Sequence, residues 1–179
     1  MISSQVKKRL KLPSLSQIGY IVPDAIKMME FYRDAFGLGP WMVRVEKPDP
    51  CMENGKRVYP TLKFALAYSG PIQIELIQVM EGETFHLKHL ENSTGAIHHL
   101  GFTIRNLETR LKACKDAGIS ILQQGTIKGT GYVVDYAYID TTEQAGTIIE
   151  LMNPHFGPLP LPTNKWTHNL AAWFGPKET

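Results

Sequence analysis

The residues best equipped for chemistry in this chain are imidazoles and carboxylates set inside apolar runs. In GAIHHLGFTI, residues 95–104, His98 and His99 stand side by side. In PIQIELIQV, residues 71–79, Glu75 lies between Ile74 and Leu76; in GTIIELMNP, residues 146–154, Glu150 lies between Ile149 and Leu151. Carboxylate oxygens with an imidazole nitrogen make a donor set for a borderline divalent metal, and a carboxylate near a carbonyl compound can move a proton. A lone Glu between strand apolars usually faces water. Here the same Ile-Glu-Leu triplet occurs twice, which calls for a second explanation.

That explanation is an internal repeat. QIGYIVPD, residues 17–24, overlays HLGFTIRN, residues 99–106, with Gly19 on Gly101, Tyr20 on Phe102, Val22 on Ile104 and Asp24 on Asn106. After Asp24 comes AIKMMEFYRDAF and then Gly37; after Asn106 comes LETRLKACKDA and then Gly118. An Asp or Asn cap, apolar residues at helical intervals such as Leu107, Leu111 and Cys114, and a closing glycine predict a short amphipathic helix in each half. Short segments rich in β-branched residues and bounded by Gly and Pro predict strands at 71–79 and 146–154, and 56–70 and 131–140 also read as extended.

The chain is thus expected to be an α+β protein of two tandem βαβββ modules. The predicted boundaries are an N-terminal extension over 1–13, a first module over 14–81, a linker over 82–96, a second module over 97–154 and a C-terminal arm over 155–179. Side chains alternate along a strand, so Ile97, His99, Gly101 and Thr103 share one face, and His98, Leu100, Phe102 and Ile104 the other. The second, bulky face is expected to pack on the helix that follows, which leaves His98 at a strand edge on the helix side. In the first module Gln17 stands where His99 stands. If the two roomy faces curve into one mostly antiparallel sheet around a trough, Gln17, Glu75, His99 and Glu150 converge as four potential ligands of a divalent metal ion.

Composition bounds the partners. With 179 residues, 43% hydrophobic, 20% charged and a net charge of +2, the chain suits one globular domain with a sizeable core. Its one basic cluster, Lys7, Lys8, Arg9 and Lys11, reads as a solvated tail, so no nucleic-acid partner is expected. Cys51 and Cys114 lack CxxC spacing, no leader pattern opens the sequence and no apolar run is long enough to span a bilayer; the expectation is a cytoplasmic protein without a membrane role.

The twin modules, the FYRDAFGLGPW helix end, the HHLGF strand and the paired IEL strands resemble the vicinal oxygen chelate superfamily, which includes glyoxalase I, methylmalonyl-CoA epimerase, extradiol dioxygenases and bleomycin-resistance proteins. The resemblance spans residues 15 to about 154. It implies a curved sheet whose first and last module strands supply metal ligands, at Gln17, Glu75, His99 and Glu150. That set is similar to glyoxalase I of eukaryotic type. Gln17 and Glu75 depart from the His and Gln usual in methylmalonyl-CoA epimerases, and Gln17 removes a histidine that extradiol dioxygenases need. Having all four donors also argues against the bleomycin-resistance type, although a protein that sequesters a small molecule without catalysis is the alternative.

The implied activity is that of a lyase or isomerase: proton transfer next to a carbonyl through a metal-stabilised enediolate or enolate, with Glu150 as base and Glu75 as second candidate. The implied substrate is a small carbonyl compound, such as a glutathione adduct or an acyl-CoA thioester. Arg44, Lys47, Lys56, Arg57 and Lys128 are the cations available for glutathione carboxylates, but surface solvation is expected of each. The last strand lacks the Asp-Pro-Asp-Gly turn common before it in glyoxalases. His86 and His89 are expected on a short exposed helix in the linker, Glu46 at the trough rim, Cys51 in a loop and Cys114 on the buried side of its helix. Tyr136 and Tyr138 share a parity that lets both line a pocket. The loop 126–132 is expected to be a hairpin connection. The aromatic end of the arm needs a cover, from the body or from a second subunit in a homodimer.

Overall fold

The computed structural model describes residues 3–90, 95–129, 131–162 and 164–168. In chain order the elements are α1 (Ser4–Leu10), β1 (Gln17–Ile21), α2 (Ala25–Phe36), β2 (Met42–Glu46), β3 (Cys51–Glu53), β4 (Lys56–Arg57), β5 (Thr61–Ser69) and β6 (Ile72–Glu81). A 3₁₀ turn (Phe85–His89) follows, then β7 (Ala96–Thr103), α3 (Leu107–Asp116), β8 (Ile121–Gly129), β9 (Tyr132–Thr141), α4 (Thr142–Ala145), β10 (Thr147–Phe156) and β11 (Leu159–Pro160). All strands join one curled mixed sheet in the order β2-β5-β6-β1-β7-β10-β9-β8-β3-β4, with β11 added to β10. The two halves meet where β1 pairs antiparallel with β7, flanked on each side by a parallel pair, β1 with β6 and β7 with β10.

The helices cover the convex side. Phe102 and Ile104 pack with Cys114, Leu107 and Leu111 of the α3 region; Val22 and Tyr20 pack with Met28 and Met29 of α2. This is the bulky face expected from strand parity. The α2 entry is capped as predicted, with Asp24 Oδ1 accepting from Lys27 N at 3.0 Å, and Gly37 closes it at φ 65°. Asn106 differs from its counterpart: it sits in the left-handed region at φ 57° and makes no side-chain cap bond. The N-terminal extension forms α1, and its Leu10 joins the core beside α3.

Two further segments depart from expectation. The linker turn is not an exposed helix: Phe85 and His86 are buried, because Phe85 packs with Tyr136, Tyr138 and Ile148 and the His86 ring lies against Tyr138. Cys51 is not in a loop but buried on β3, with its Sγ 3.5 Å from the Tyr136 hydroxyl. The β3–β4 hairpin belongs by sequence to the first half, yet β3 pairs with β8 of the second. Glu53 fastens it: one carboxylate oxygen accepts from the Thr84 hydroxyl (3.1 Å), the Phe85 amide (3.0 Å) and the Gln123 side chain (3.0 Å).

The C-terminal arm returns to the body. His168 Nε2 lies 3.2 Å from the Pro40 carbonyl oxygen, its ring is 5.1 Å from that of Tyr68, and Leu161, Pro162 and Thr167 line the trough. The remainder of the predicted arm, 169–179, lies outside the described residues. Among the described residues no helix is long and apolar enough to cross a membrane.

Because one Glu53 oxygen satisfies three donors that hold the hairpin, the 3₁₀ turn and β8 together, Glu53→Ala should cost about 2 kcal/mol of stability, measured by urea denaturation. A change within error would show that water replaces the carboxylate at no cost.

Candidate metal centre

The floor of the trough is built from two rows of residues running across four neighbouring strands. In one row, the register places Glu75 and His99 on either side of Gly19; in the other, Gln17 and Glu150 flank Gly101. The glycines are the reason these side chains can meet. A Cβ added to Gly19 would lie 1.9 Å from His99 Cε1, and one on Gly101 would lie 2.7 Å from Gln17 Oε1. Gly19 and Gly101 are repeat equivalents, so each module leaves out a side chain where the other module's donor must lie.

His99 Nε2 is the meeting point. It is 3.2 Å from Gln17 Oε1, 3.1 Å from Glu150 Oε2 and 3.4 Å from Glu75 Oε2. Gln73, next to Gln17 on β6, accepts a 2.9 Å hydrogen bond from Gln17 Nε2 and so turns the Gln17 carbonyl oxygen toward the cluster. All four residues are buried, with Glu75 at 8% exposure and Glu150 at 5%, far from the solvated position a strand Glu ordinarily takes. Glu75, His99 and Glu150 can each offer a ligand atom within 4.8 Å of the others. The Oε2 atoms of Glu75 and Glu150 are buried and face His99 Nε2 without a well-aligned hydrogen bond to it, which leaves their lone pairs open to an ion. Three oxygens and one imidazole nitrogen fit a divalent ion with positions left for substrate or water.

The electrostatics agree with that arrangement. Burial alone would push His99 down, but Glu150 and Glu75 beside its Nε2 raise it to about 9. Burial raises Glu75, partly offset by its bond to His99, and the nearby Glu150 charge adds to the rise. Tyr138, opposite Glu150 on β9, is pushed well above the phenol range by burial and by the Glu150 and Glu75 charges.

Above the floor the trough opens into a cavity of about 480 Å³. Its walls are largely apolar or aromatic, including Leu62, Phe64, Tyr68, Tyr136, Tyr138 and Met152. Both tyrosines matched by parity therefore line it. Arg44 and Glu46 are also on the wall; Tyr132 donates to Glu46 Oε1 at 2.6 Å, and the Arg44 guanidinium lies 4.5 Å from the Tyr132 ring centroid. Arg57 instead pairs with Asp49 at the surface.

Strand parity missed the surroundings of His99. His98 is not on the helix side: β7 carries one extra residue opposite the Gly19–Tyr20 step, so Gly19 pairs with His99 and Tyr20 with Ile97. That bulge turns His98 inward, 2% exposed, with its Nδ1 3.0 Å from His99 Nδ1. His86 stacks against it at 4.8 Å between ring centroids, and His89 meets it edge-on at 4.5 Å. No spacing rule announces a bulge. Gln73, by contrast, was within reach, being two residues before Glu75 on the same strand face.

This fold belongs to a recognised class. Residues 16–138 match the model of the Glyoxalase/Bleomycin resistance protein/Dioxygenase superfamily, and the chain belongs to that superfamily. No curated protein sequence matches it significantly. Among solved structures it is similar to methylmalonyl-CoA epimerase from Mycobacterium tuberculosis, with 19% identity, 87% of this chain and 96% of that chain covered, and a TM-score of 0.54. A Streptomyces coelicolor methylmalonyl-CoA epimerase variant in complex with 2-nitronate-propionyl-CoA shows 18% identity, 85% and 100% coverage, and a TM-score of 0.57. A hypothetical protein from Bacillus halodurans C-125 shows 19% identity, 78% and 92% coverage, and a TM-score of 0.54. At these identities the likeness is one of fold.

Gly19→Ala tests the geometry directly. Its Cβ would overlap the His99 ring, so the variant should lose at least about 1–3 kcal/mol of stability and displace His99 from the carboxylates. Thermal unfolding and the His99 ring shifts in NMR spectra should both move; an unchanged ring would contradict the packing described.

Proposed function

We propose that the protein is a divalent-metal-dependent lyase or isomerase that transfers a proton at a carbon next to a carbonyl group. The observation that carries this reading is the buried convergence of Gln17 Oε1, Glu75 Oε2, Glu150 Oε2 and His99 Nε2 around one point at the base of a closed-sided trough. These four residues would hold the ion. When bound, it supplies Lewis-acid stabilisation of the negative charge that develops on the carbonyl oxygen as the neighbouring proton leaves.

The remaining work falls to side chains. Glu150 lies at the trough floor against Tyr138 and is the proposed base; it removes a proton from the substrate carbon, and return of a proton to the adjacent carbon gives isomerisation while return to the same carbon from the opposite face gives epimerisation. Glu75, on the opposite side of His99, is placed to take or return the proton on the other face. The apolar wall excludes water from the charge that forms, and the aromatic surface holds the substrate's carbon skeleton. The substrate is therefore a small carbonyl compound, carried as an acyl thioester or a thiol adduct whose polar carrier extends out of the trough. Acyl-CoA thioesters are the first class to test, because some solved epimerases of similar fold are in complex with methylmalonyl-CoA or 2-nitronate-propionyl-CoA.

Two outcomes follow. Protein loaded with Mn, Co, Ni, Zn or Mg should exchange solvent deuterium into a 2-methylacyl thioester or a 2-oxoaldehyde thiol adduct, with Glu150→Gln lowering the rate at least about a hundredfold; undiminished exchange removes Glu150 as base. Binding of metal must also displace the His99 proton. In the metal-free protein this proton contributes stability that is fully present below the unfolded histidine value of about 6.5 and is lost as pH rises through about 9. Metal affinity should accordingly rise between those pH values. Calorimetry at pH 7 in buffers of different ionisation enthalpy should show about one proton released per ion. A buffer-independent enthalpy would contradict the ligand role of His99.

A further inference from the structure

We infer that His98 is a positioning residue for His99, and that the β7 bulge exists to bring it there. This rests on the metal-binding reading above and adds to it a role for a histidine that strand alternation would have buried against the helices.

The geometry leaves little freedom. His99 presents Nε2 to Gln17, Glu75 and Glu150, so Nε2 is the atom that faces an ion and must carry a lone pair when one is bound. The ring proton is then on Nδ1, and the atom within reach of it is His98 Nδ1, at 3.0 Å. A contact between two ring nitrogens holds a single shared proton. With an ion bound, His99 Nδ1–H therefore donates, His98 Nδ1 accepts, and His98 carries its own proton on Nε2, a buried atom with no hydrogen-bond partner among the described residues. A metal-bound imidazole commonly donates its second N–H to a carboxylate, a carbonyl or water, which fixes the ring's tautomer and orientation. Here a second imidazole fills that place.

His98 is itself held. It is 2% exposed, its ring lies 5.4 Å from that of Tyr138 and 5.1 Å from that of Phe85, and His86 and His89 of the 3₁₀ turn pack on its other sides. His86 Nδ1 in turn contacts the Thr84 hydroxyl at 2.9 Å, and Thr84 donates to Glu53. The hairpin that crosses to the second half of the sheet is thereby connected, through the 3₁₀ turn, to the orientation of the metal-facing ring. The bulge leaves His98 between the Gly19–His99 and Tyr20–Ile97 pairs, without a partner of its own in the β1–β7 register.

The test compares His98→Phe, which keeps a planar ring but lacks the acceptor, with His98→Asn, whose side-chain oxygen can accept. Cobalt(II) and zinc dissociation constants are measured by chelator competition, alongside the visible spectrum of the cobalt form and the melting temperature of the metal-free protein. The expected result is a 10–100-fold weaker affinity and an altered cobalt spectrum in His98→Phe, with His98→Asn recovering most of the loss. Wild-type affinity and spectrum in a folded His98→Phe protein would overturn the inference, as would equal losses in both variants. Nitrogen-15 NMR of the ring nitrogens in the zinc-loaded wild type reads the tautomers directly. His98 should be neutral and protonated on Nε2, with His99 protonated on Nδ1; a proton on His98 Nδ1 would overturn the inference. Failure of the wild type to bind any ion would instead remove the metal-dependent reading on which this inference rests.

Discussion

Everything at this site depends on two missing methyl groups. Gly19 and Gly101 are neighbours across the β1–β7 junction, and each is flanked in the register by two of the four donors. A strand interior ordinarily disfavours glycine, which packs nothing and loses the most backbone freedom on ordering. Here the gap makes room: the imidazole of His99 and the amide of Gln17 lie across positions where a Cβ would stand. The repeat provides the gap twice because the halves meet antiparallel, so that position 19 faces 99 and position 101 faces 17.

From that junction outward, the protein separates polar work from apolar support. The convex face carries Tyr20, Val22, Phe102 and Ile104 into the helices, which sets the curvature. The concave face concentrates its charge at the bottom and surrounds it with aromatic and aliphatic walls. Burying two carboxylates and an imidazole together is costly unless each charge has a partner, and the carboxylates beside His99 Nε2 hold a proton on the ring well above the usual histidine range.

Much of this was legible in the sequence because it is periodic. The repeat of QIGYIVPD in HLGFTIRN located both glycines and both first-strand donors, and the paired Ile-Glu-Leu triplets located the carboxylates. What escaped were features that break a period or come from far away. The β7 bulge reversed the face of His98; Asn106 occupies the cap position without capping; the buried 3₁₀ turn and the Glu53–Gln123 contacts depend on tertiary pairing of β3 with β8. Local alternation carries no information about an inserted residue, and composition gives no hint that a polar linker such as EGETFHLKH will be packed against β9 and β10 through its phenylalanine.

The crossing of the β3–β4 hairpin has a mechanical meaning. β2 stands at one margin of the sheet and β3 next to the other, yet only residues 47–50 separate them in the chain. Asp49 N bonds Thr126 O and Thr126 N bonds Pro50 O, so the far end of this short tether is anchored on β8. Five residue steps reach at most about 18 Å, which caps how far the two lips can part. The width of the trough is thus limited by the length of a short covalent segment as well as by packing, and the two margins of an otherwise open sheet move as linked parts.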